Sequence, residues 1–279
     1  TTLLKKILGD VEERISKELE GQPEVQAAIR GTLGRAYTSL GQYETATAEL
    51  DGAMSLLESA GVQNERQSFK IDSARATLLD RMGRPAEAEE LYRTSVARMR
   101  KVLGENDSDT LAMMSRLGTV QRDIGKFREA DQTLRTVLDK QTRLLGVDDL
   151  RTLNTLHYLA QTLSQEGNDL ESERLARQLV ERRKAVQGPD AVEVYEAQST
   201  LAAAMKGLDR AAEANQLEIE SLDRLSKTLG DDNPQTLNMR NNHAFTLSML
   251  KRDDEAEAVY RDTLERRRRV LGEEHPMTL

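Results

Sequence analysis

The chain repeats itself at an interval of 42 residues. Glycine recurs at this spacing five times, at Gly104, Gly146, Gly188, Gly230 and Gly272. Small residues keep the same interval in two further columns, one from Gly34 to Ala244 and one, twelve positions later, from Ala46 to Ala256. Because independent columns share one register, the pattern predicts stacked copies of a single supersecondary unit, each of which buries its apolar face against its neighbours.

Each copy has the pattern of a helix, a tight turn and a second helix. Leu111, Met114 and Leu117 fall at helical spacing before Gly125, and glycine favours the positive φ that helix ends often adopt. The segment from Ala86 to Leu103 then presents a second apolar face. We therefore predict an all-α fold, a right-handed α-solenoid of six helix-turn-helix repeats plus an N-terminal helix.

The period also sets the expected boundaries. We expect an N-terminal capping helix over residues 1–22 and one solenoid over residues 23–279, with the start of a seventh repeat at 273–279 and the chain itself a piece of something longer. The repeats are predicted at about 24–61, 66–104, 108–146, 150–188, 192–230 and 234–272.

The residues at the joints between repeats suit helix starts. Asp107, Asp149 and Asn233 stand where a side-chain oxygen would cap the following helix, and Pro234 suits the first helical position. Where two helices cross closely, small residues such as Gly34 and Ala46 are needed at the contact. The arginines near the ends of the second helices, including the run 266–269, are expected on solvated faces near the negative helix end.

Composition excludes several classes of function. The chain has 279 residues, only 3% of them aromatic, which predicts a thin core of Leu and Ala. A net charge of −8 argues against a nucleic-acid partner, and the absence of an 18-residue apolar stretch predicts no membrane contact from this chain. There is no Cys, so no disulfide or thiolate site is expected, and a cytoplasmic location suits that absence.

The sequence shows no catalytic pattern. It has no Gly-x-Ser-x-Gly elbow and no glycine-rich nucleotide loop, and its histidines lack a recurrent carboxylate at metal-ligand spacing. His243 replaces a Leu of the repeat, which predicts a hydrogen-bonded, partly buried histidine, and His275 is expected in a capping or turn role. We predict that the chain is not an enzyme and needs no cofactor or metal.

These features resemble those of a known family. Small residues twelve apart across a helical hairpin, with Tyr37 and Tyr92, resemble tetratricopeptide repeats. The 42-residue length and the joint 229–237, repeated at 271–279, resemble the variety found in kinesin light chains and many bacterial signalling proteins. Residues 7–37 also resemble the segment that joins a kinase domain to such repeats in certain bacterial serine/threonine kinases, which implies a kinase as the parent protein.

The candidate functional surface is the concave face lined by the first helices. Residues at i, i+3, i+4 and i+7 share that face, and asparagine can both donate to and accept from the backbone of an extended peptide. Tyr158 and Phe245 would supply apolar anchors. The resemblance to kinesin light chains implies a similar use of groove asparagines. The candidates are Asn154, His157, Tyr158, Gln161, Arg116, Arg122, Asn238, Asn241, Asn242 and Phe245.

Several functions remain open at this point. The preferred prediction is a protein–protein interaction module that binds an extended peptide or a partner helix of unknown identity in the groove. The first alternative is a regulatory or self-association region of a bacterial kinase, and the second is a structural spacer in a larger assembly. The asparagines could also be tolerated polar residues on a wet helix face.

Overall fold

A computed structural model describes residues 18–61, 65–273 and 278. These residues form twelve α-helices and no strand, which confirms the all-α prediction. Most of the predicted capping helix, and most of the predicted seventh repeat with His275, lie outside the described residues. The helices are α1 Pro23–Ser39, α2 Tyr43–Ser59, α3 Glu65–Arg81, α4 Pro85–Val102, α5 Ser108–Asp123, α6 Phe127–Leu145, α7 Leu150–Glu166, α8 Asp169–Gln187, α9 Val192–Gly207, α10 Ala211–Leu229, α11 Pro234–Met249 and α12 Asp253–Leu271.

The helices form two compact units that divide within α6, after Thr133. In the first unit α1 packs on α2 and α3 on α4, and α5 follows on α4. In the second unit the hairpins are α7–α8, α9–α10 and α11–α12, and the first helix α9 also contacts α7 and α11. None of the helices in the described ranges is both long and apolar enough to cross a membrane.

Small residues hold the hairpins close together, as predicted. A Cβ added to Gly34 would lie 2.5 Å from Leu50 Cγ on the facing helix, so only glycine permits this approach. Ala46, twelve residues later, is fully buried. In the second unit the matching contact includes a hydrogen bond, because Ser172 Oγ donates to the Ala160 carbonyl at 2.8 Å. The recurring small columns are therefore the close contacts of each hairpin.

Both cores are thin and aliphatic. The first unit buries Leu33, Leu50 and Ile71 together, and the second buries Leu153, Leu159 and Leu179 with the small residues of the repeat. This is the core that a low aromatic content predicts. Each unit therefore depends on many modest aliphatic contacts between neighbouring helices.

The predicted helix caps are confirmed. The Asp107 carboxylate accepts from the Asp109 amide at 2.9 Å, the Asp149 carboxylate accepts from the Arg151 amide at 2.9 Å, and the Asn233 side chain accepts from the Gln235 amide at 2.9 Å. Each oxygen satisfies a backbone donor that the helix itself leaves without a partner.

The turn inside each hairpin needs a left-handed residue. Gly83 and Gly125 supply it in the first unit with φ of 74° and 77°. In the last two repeats Asp209 and Lys251 adopt φ of 58° and 60° at the same place. Gly207, two residues before Asp209, is helical and not the turn residue, and a Cβ there would overlap the Asp169 carboxylate.

The arginines near the ends of the second helices have specific partners in the second unit. Each pairs with an aspartate 34 residues earlier, in the joint that precedes the same hairpin. The pairs are Arg182–Asp148 at 2.7 Å, Arg224–Asp190 at 3.3 Å and Arg266–Asp232 at 2.9 Å. These pairs are solvent-exposed or half-exposed, so each contributes little to stability. They fix where the end of the second helix meets the joint.

Candidate functional site

A groove of about 560 Å³ opens in the second unit. Its lining comes mainly from the first helices α7, α9 and α11, which lie side by side. The second helices α8, α10 and α12 each add one side chain from beneath, namely Arg183, Leu225 and Arg267. The groove therefore spans three consecutive hairpins of one unit.

The structure brings seven of the predicted site residues together in this groove. They are Asn154, His157, Tyr158, Gln161, Asn238, Asn241 and Asn242. Phe245 is not among the lining residues. It lies one turn beyond Asn241 and Asn242 on α11, is 53% exposed, and has the Lys206 ammonium 5.5 Å from its ring centroid. Phe245 thus packs with a cation beside the groove.

The remaining two candidates belong to the first unit. Arg116 and Arg122 lie on α5, and the side chain of Arg116 is exposed. The Arg122 Nη2 donates to the neighbouring Asp123 carboxylate at 2.7 Å. An arginine that already bonds an adjacent carboxylate is less available to a ligand than a free one.

Two asparagines of α11 differ in their internal contacts. Asn242 Nδ2 donates to Ser199 Oγ on α9 at 2.8 Å, which links neighbouring first helices. Within the described ranges, the half-buried Asn241 side chain makes no hydrogen bond to another residue. Its amide can therefore offer both a donor and an acceptor to a bound molecule.

His157 is more deeply placed than the helix-face pattern predicted. It is only 6% exposed, its Nε2 lies 2.9 Å from Thr200 Oγ1, and Gln161 Nε2 lies 3.2 Å from the same ring nitrogen. The correction has a physical reason, because α9 packs against α7 and covers this imidazole. Tyr158 stacks beside it at 6.4 Å between ring centroids and packs partly against the aliphatic core.

Two arginines on the groove floor were not predicted from sequence. Arg183 on α8 is 2% exposed, and its Nη2 donates to Asn154 Oδ1 at 2.9 Å. Arg267 on α12 donates from Nη2 to Asn238 Oδ1 at 3.0 Å. Burial lowers the pKa of both guanidinium groups, since it penalises the charged form. The expectation that the whole 266–269 run is solvated is therefore wrong for Arg267.

The fifth repeat, in the middle of the groove, contributes different side chains to its lining. Glu196 occupies the position that Asn154 and Asn238 hold in their repeats, and burial raises the pKa of its carboxyl group although nearby Arg183 opposes the shift. Tyr195, Leu225 and Met239 form a small apolar cluster on the floor. Carrying the 42-residue interval from Asn154 into the middle repeat would have found Glu196.

This arrangement suits the binding of a polypeptide. It offers amides for backbone groups, an apolar floor for a side chain, and buried charges for specific recognition. No group of three or more potential metal-ligating side chains occurs in the described part of the chain. The fold thus defines a solenoid of helical hairpins, with a polar groove in its second unit.

Comparison with known families identifies the repeat. One family model described as Tetratricopeptide repeat matches residues 67–143, and a second with the same description matches residues 152–190, 196–235 and 236–276. Together they cover more than half of the chain, which belongs to the tetratricopeptide repeat family. This family is a non-catalytic scaffold for protein interactions, so the chain is not an enzyme.

Solved structures share the fold at low sequence identity. A putative kinesin light chain with nearly identical TPR-like repeats from Podosopora anserina has a TM-score of 0.63 at 22% identity, covering 73% of this chain and 96% of that one. BtubC (BKLC) from P. vanneervenii gives 0.71 at 16%, covering 82% and 94%. NprR in complex with its cognate peptide NprX gives 0.64 at 13%, covering 99% and 85%. No curated protein sequence matches this chain.

Proposed function

We propose that the groove of the second unit binds an extended peptide segment of a partner protein. The observation that carries the proposal is Asn241, an amide that lines the groove and makes no internal side-chain hydrogen bond in the described ranges. A helix already satisfies its own backbone groups, whereas an extended chain presents them to such amides. An extended peptide is therefore the better fit of the two predicted occupants.

The comparisons support this proposal at the level of fold. NprR, which shares the fold, is described in complex with its cognate peptide. Tetratricopeptide repeats serve in general as surfaces for protein or peptide partners. We also propose a cytoplasmic location for this chain, supported by the lack of Cys. We propose a kinase as its parent protein, supported by the resemblance of residues 7–37.

The test begins with a random dodecapeptide library displayed on phage and selected against the whole chain. Affinities of synthetic copies of the selected peptides are then measured by fluorescence polarisation. Asn241→Ala alone should weaken binding about tenfold without lowering the thermal midpoint, because the lost amide removes one or two hydrogen bonds worth about 0.5–1.5 kcal/mol each. The double change Asn241→Ala and Asn242→Ala should weaken binding about 100-fold, because it removes two such amides.

Gln178→Ala provides the matched control, since Gln178 is an exposed amide on α8 that does not line the groove. If every selected peptide bound both asparagine variants as tightly as the original chain, the groove would not be the binding surface. Sedimentation velocity over a concentration series tests the self-association alternative. Dimerisation that the asparagine changes leave intact would favour it.

A further inference from the structure

The position of Arg183 is apolar in three of the six repeats and holds a buried glutamine, Gln141, in a fourth. Along the 42-residue interval the column reads Leu57, Met99, Gln141, Arg183, Leu225 and Arg267. Leu57, Met99 and Leu225 are each at most 2% exposed, so an aliphatic side chain fills the site well. Packing therefore does not require arginine at Arg183 or Arg267. A charge in place of an aliphatic residue costs stability at a buried site, which suggests that it serves recognition.

Asparagine and arginine occur in the same repeats. The facing column on the first helices reads Ala28, Lys70, Ala112, Asn154, Glu196 and Asn238. The two asparagines thus coincide with the two arginines, 29 residues before each, and both pairs are hydrogen-bonded. An asparagine–arginine pair is therefore a module that occurs in the fourth and sixth repeats and is replaced by Glu196 and Leu225 between them.

The Arg183 guanidinium has no carboxylate bonded to it and is only partly hydrogen-bonded within the described residues. Its hydrogen bond goes to a neutral amide oxygen, and its Nε has no hydrogen-bond partner although the side chain is 98% buried. Glu196 and Glu193 lie close enough to favour the charged form of Arg183, but neither forms an ion pair with it in the described residues. Arginine binds carboxylates more strongly than neutral amides, often through two parallel hydrogen bonds.

We propose that each asparagine–arginine pair is a subsite for an acidic side chain of the bound peptide, Asn154–Arg183 for one and Asn238–Arg267 for the other. The exposed Asn154 amide turns aside, and the ligand carboxylate takes its place on the guanidinium. Glu196 and the apolar cluster of Tyr195, Leu225 and Met239 exclude a third acid between the two subsites. This inference rests on the proposed peptide groove and specifies its ligand.

The spacing of the two acids follows from the helix packing. The pairs lie two hairpins apart, and the first helices α7, α9 and α11 are direct neighbours. Packed helices are about 8–10 Å apart, so the two subsites are about 16–20 Å apart. An extended chain advances about 3.3 Å per residue, which places the two acidic residues five or six positions apart.

The experiment uses the peptides recovered from the same dodecapeptide library. Their sequences should show two acidic residues five or six positions apart with no acid between them. Synthetic versions with Glu→Gln or Asp→Asn at one acidic position should bind the whole chain about 10- to 100-fold more weakly, since each charged pair formed in a desolvated site is strong. Because these changes are in the peptide, folding of the protein does not enter the result.

Changes to the two arginines of the protein, combined with the peptide changes, give a double-mutant cycle for each subsite. Arg183→Gln or Arg267→Gln should lower the affinity for the acidic peptide to the same degree. Neither change should alter the affinity for the peptide whose matching acid is already an amide. Arg268→Gln, an exposed neighbour outside the groove, is the control for general charge attraction. The peptides could bind the asparagine variants more weakly and yet keep their affinity when their acidic residues are changed to amides. That result would contradict the acidic subsites but support the peptide groove. If Arg268→Gln weakens binding equally, the attraction is non-specific and the inference falls too.

Discussion

The two units use the same repeat column for different purposes. In the first unit Leu57 and Met99 fill it with buried aliphatic side chains. In the second unit Gln141 and Leu225 also occupy it, but Arg183 and Arg267 stand there in the fourth and sixth repeats, each bonded to an asparagine of the preceding helix. A repeat scaffold tolerates such exchanges because each position is set mainly by its nearest neighbours. In the proposed peptide groove, Arg183 and Arg267 serve recognition at the expense of packing.

The sharpest way to break this comparison is to place arginine in the first unit. Met99→Arg should lower the free energy of unfolding by about 3–5 kcal/mol, because a buried charge would lack a compensating partner. Met99 is 1% exposed, and the matching first-helix residue is the cation Lys70 rather than asparagine. Urea unfolding followed by circular dichroism measures the change.

Met99→Leu is the control and should cost less than about 1.5 kcal/mol, since it conserves both volume and polarity. A Met99→Arg chain as stable as the Met99→Leu chain would contradict the comparison. It would show that this column accepts charge in either unit and that arginine at the groove has no special meaning.

The reverse change, from arginine to leucine in the second unit, tests the same comparison. Arg183→Leu should leave the free energy of unfolding unchanged or raise it by about 1–2 kcal/mol, because replacing a buried charge with a packed aliphatic group is often stabilising. Leu225 shows that leucine fits this column in the second unit. The same urea titration measures it, and a loss of 3 kcal/mol or more would mean that Arg183 serves packing.

The fold was open to prediction from sequence because repetition magnifies weak signals. A single Gly34 or Ala46 says little, but the same spacing in six copies identifies a close helix contact in each. The caps at Asp107 and Asn233 were also predictable, since they depend on local chemistry alone. Periodicity also located the amides of α7 and α11 that line the groove.

The groove floor was not predictable in the same way. Arg182 and Arg183 are adjacent in sequence, yet Arg182 is partly exposed and pairs with Asp148 whereas Arg183 is buried. One residue is a rotation of about 100° on a helix, and only packing decides which arginine turns inward. A run of charged residues predicts solvent exposure, so the sequence alone does not find Arg183. His157 lines the groove as predicted, but a helix face does not show that α9 covers its imidazole.

A smaller difference separates the hairpin turns of the first unit from those of the last two repeats, while the fourth repeat keeps Gly167 with φ of 88°. Gly83 and Gly125 adopt positive φ without strain, whereas Lys251 adopts φ of 60° with a side chain. Lys251→Gly should therefore raise the free energy of unfolding by about 1 kcal/mol, since a left-handed conformation costs most residues about 1–2 kcal/mol and glycine loses some of this gain to chain entropy. Thermal and urea midpoints measure the gain.

The complementary change is Gly83→Lys, which should destabilise by a similar amount. No neighbouring atom lies within 4 Å of a Cβ at Gly83, so its effect would report the backbone conformation alone. Equal stability of all three chains would show that the turn accommodates a left-handed lysine without cost.

The smallest expected effect concerns another exchange of leucine, this time for histidine. The column of His243 holds Leu33, Arg75, Leu117, Leu159 and Leu201 in the earlier repeats. The His243 Nε2 lies 3.1 Å from Asn215 Oδ1. Burial lowers the pKa of His243 below its ordinary value of 6.5, with Glu218 opposing the shift. The folded state thus favours the neutral ring, so this contribution to stability is complete above the unfolded pKa.

The contribution is lost as the pH falls through the folded pKa, since protonation then favours the unfolded chain. The urea midpoint should therefore fall less between pH 7.5 and 5.0 in His243→Leu than in the original chain. Asn215→Ala is the discriminating control: it removes the hydrogen bond but keeps a titrating ring, so its acid sensitivity should persist. If the urea midpoint of His243→Leu fell as much at low pH as that of the original chain, protonation of carboxylates alone would account for the fall. The histidine would then be as inert as the leucines of the first unit.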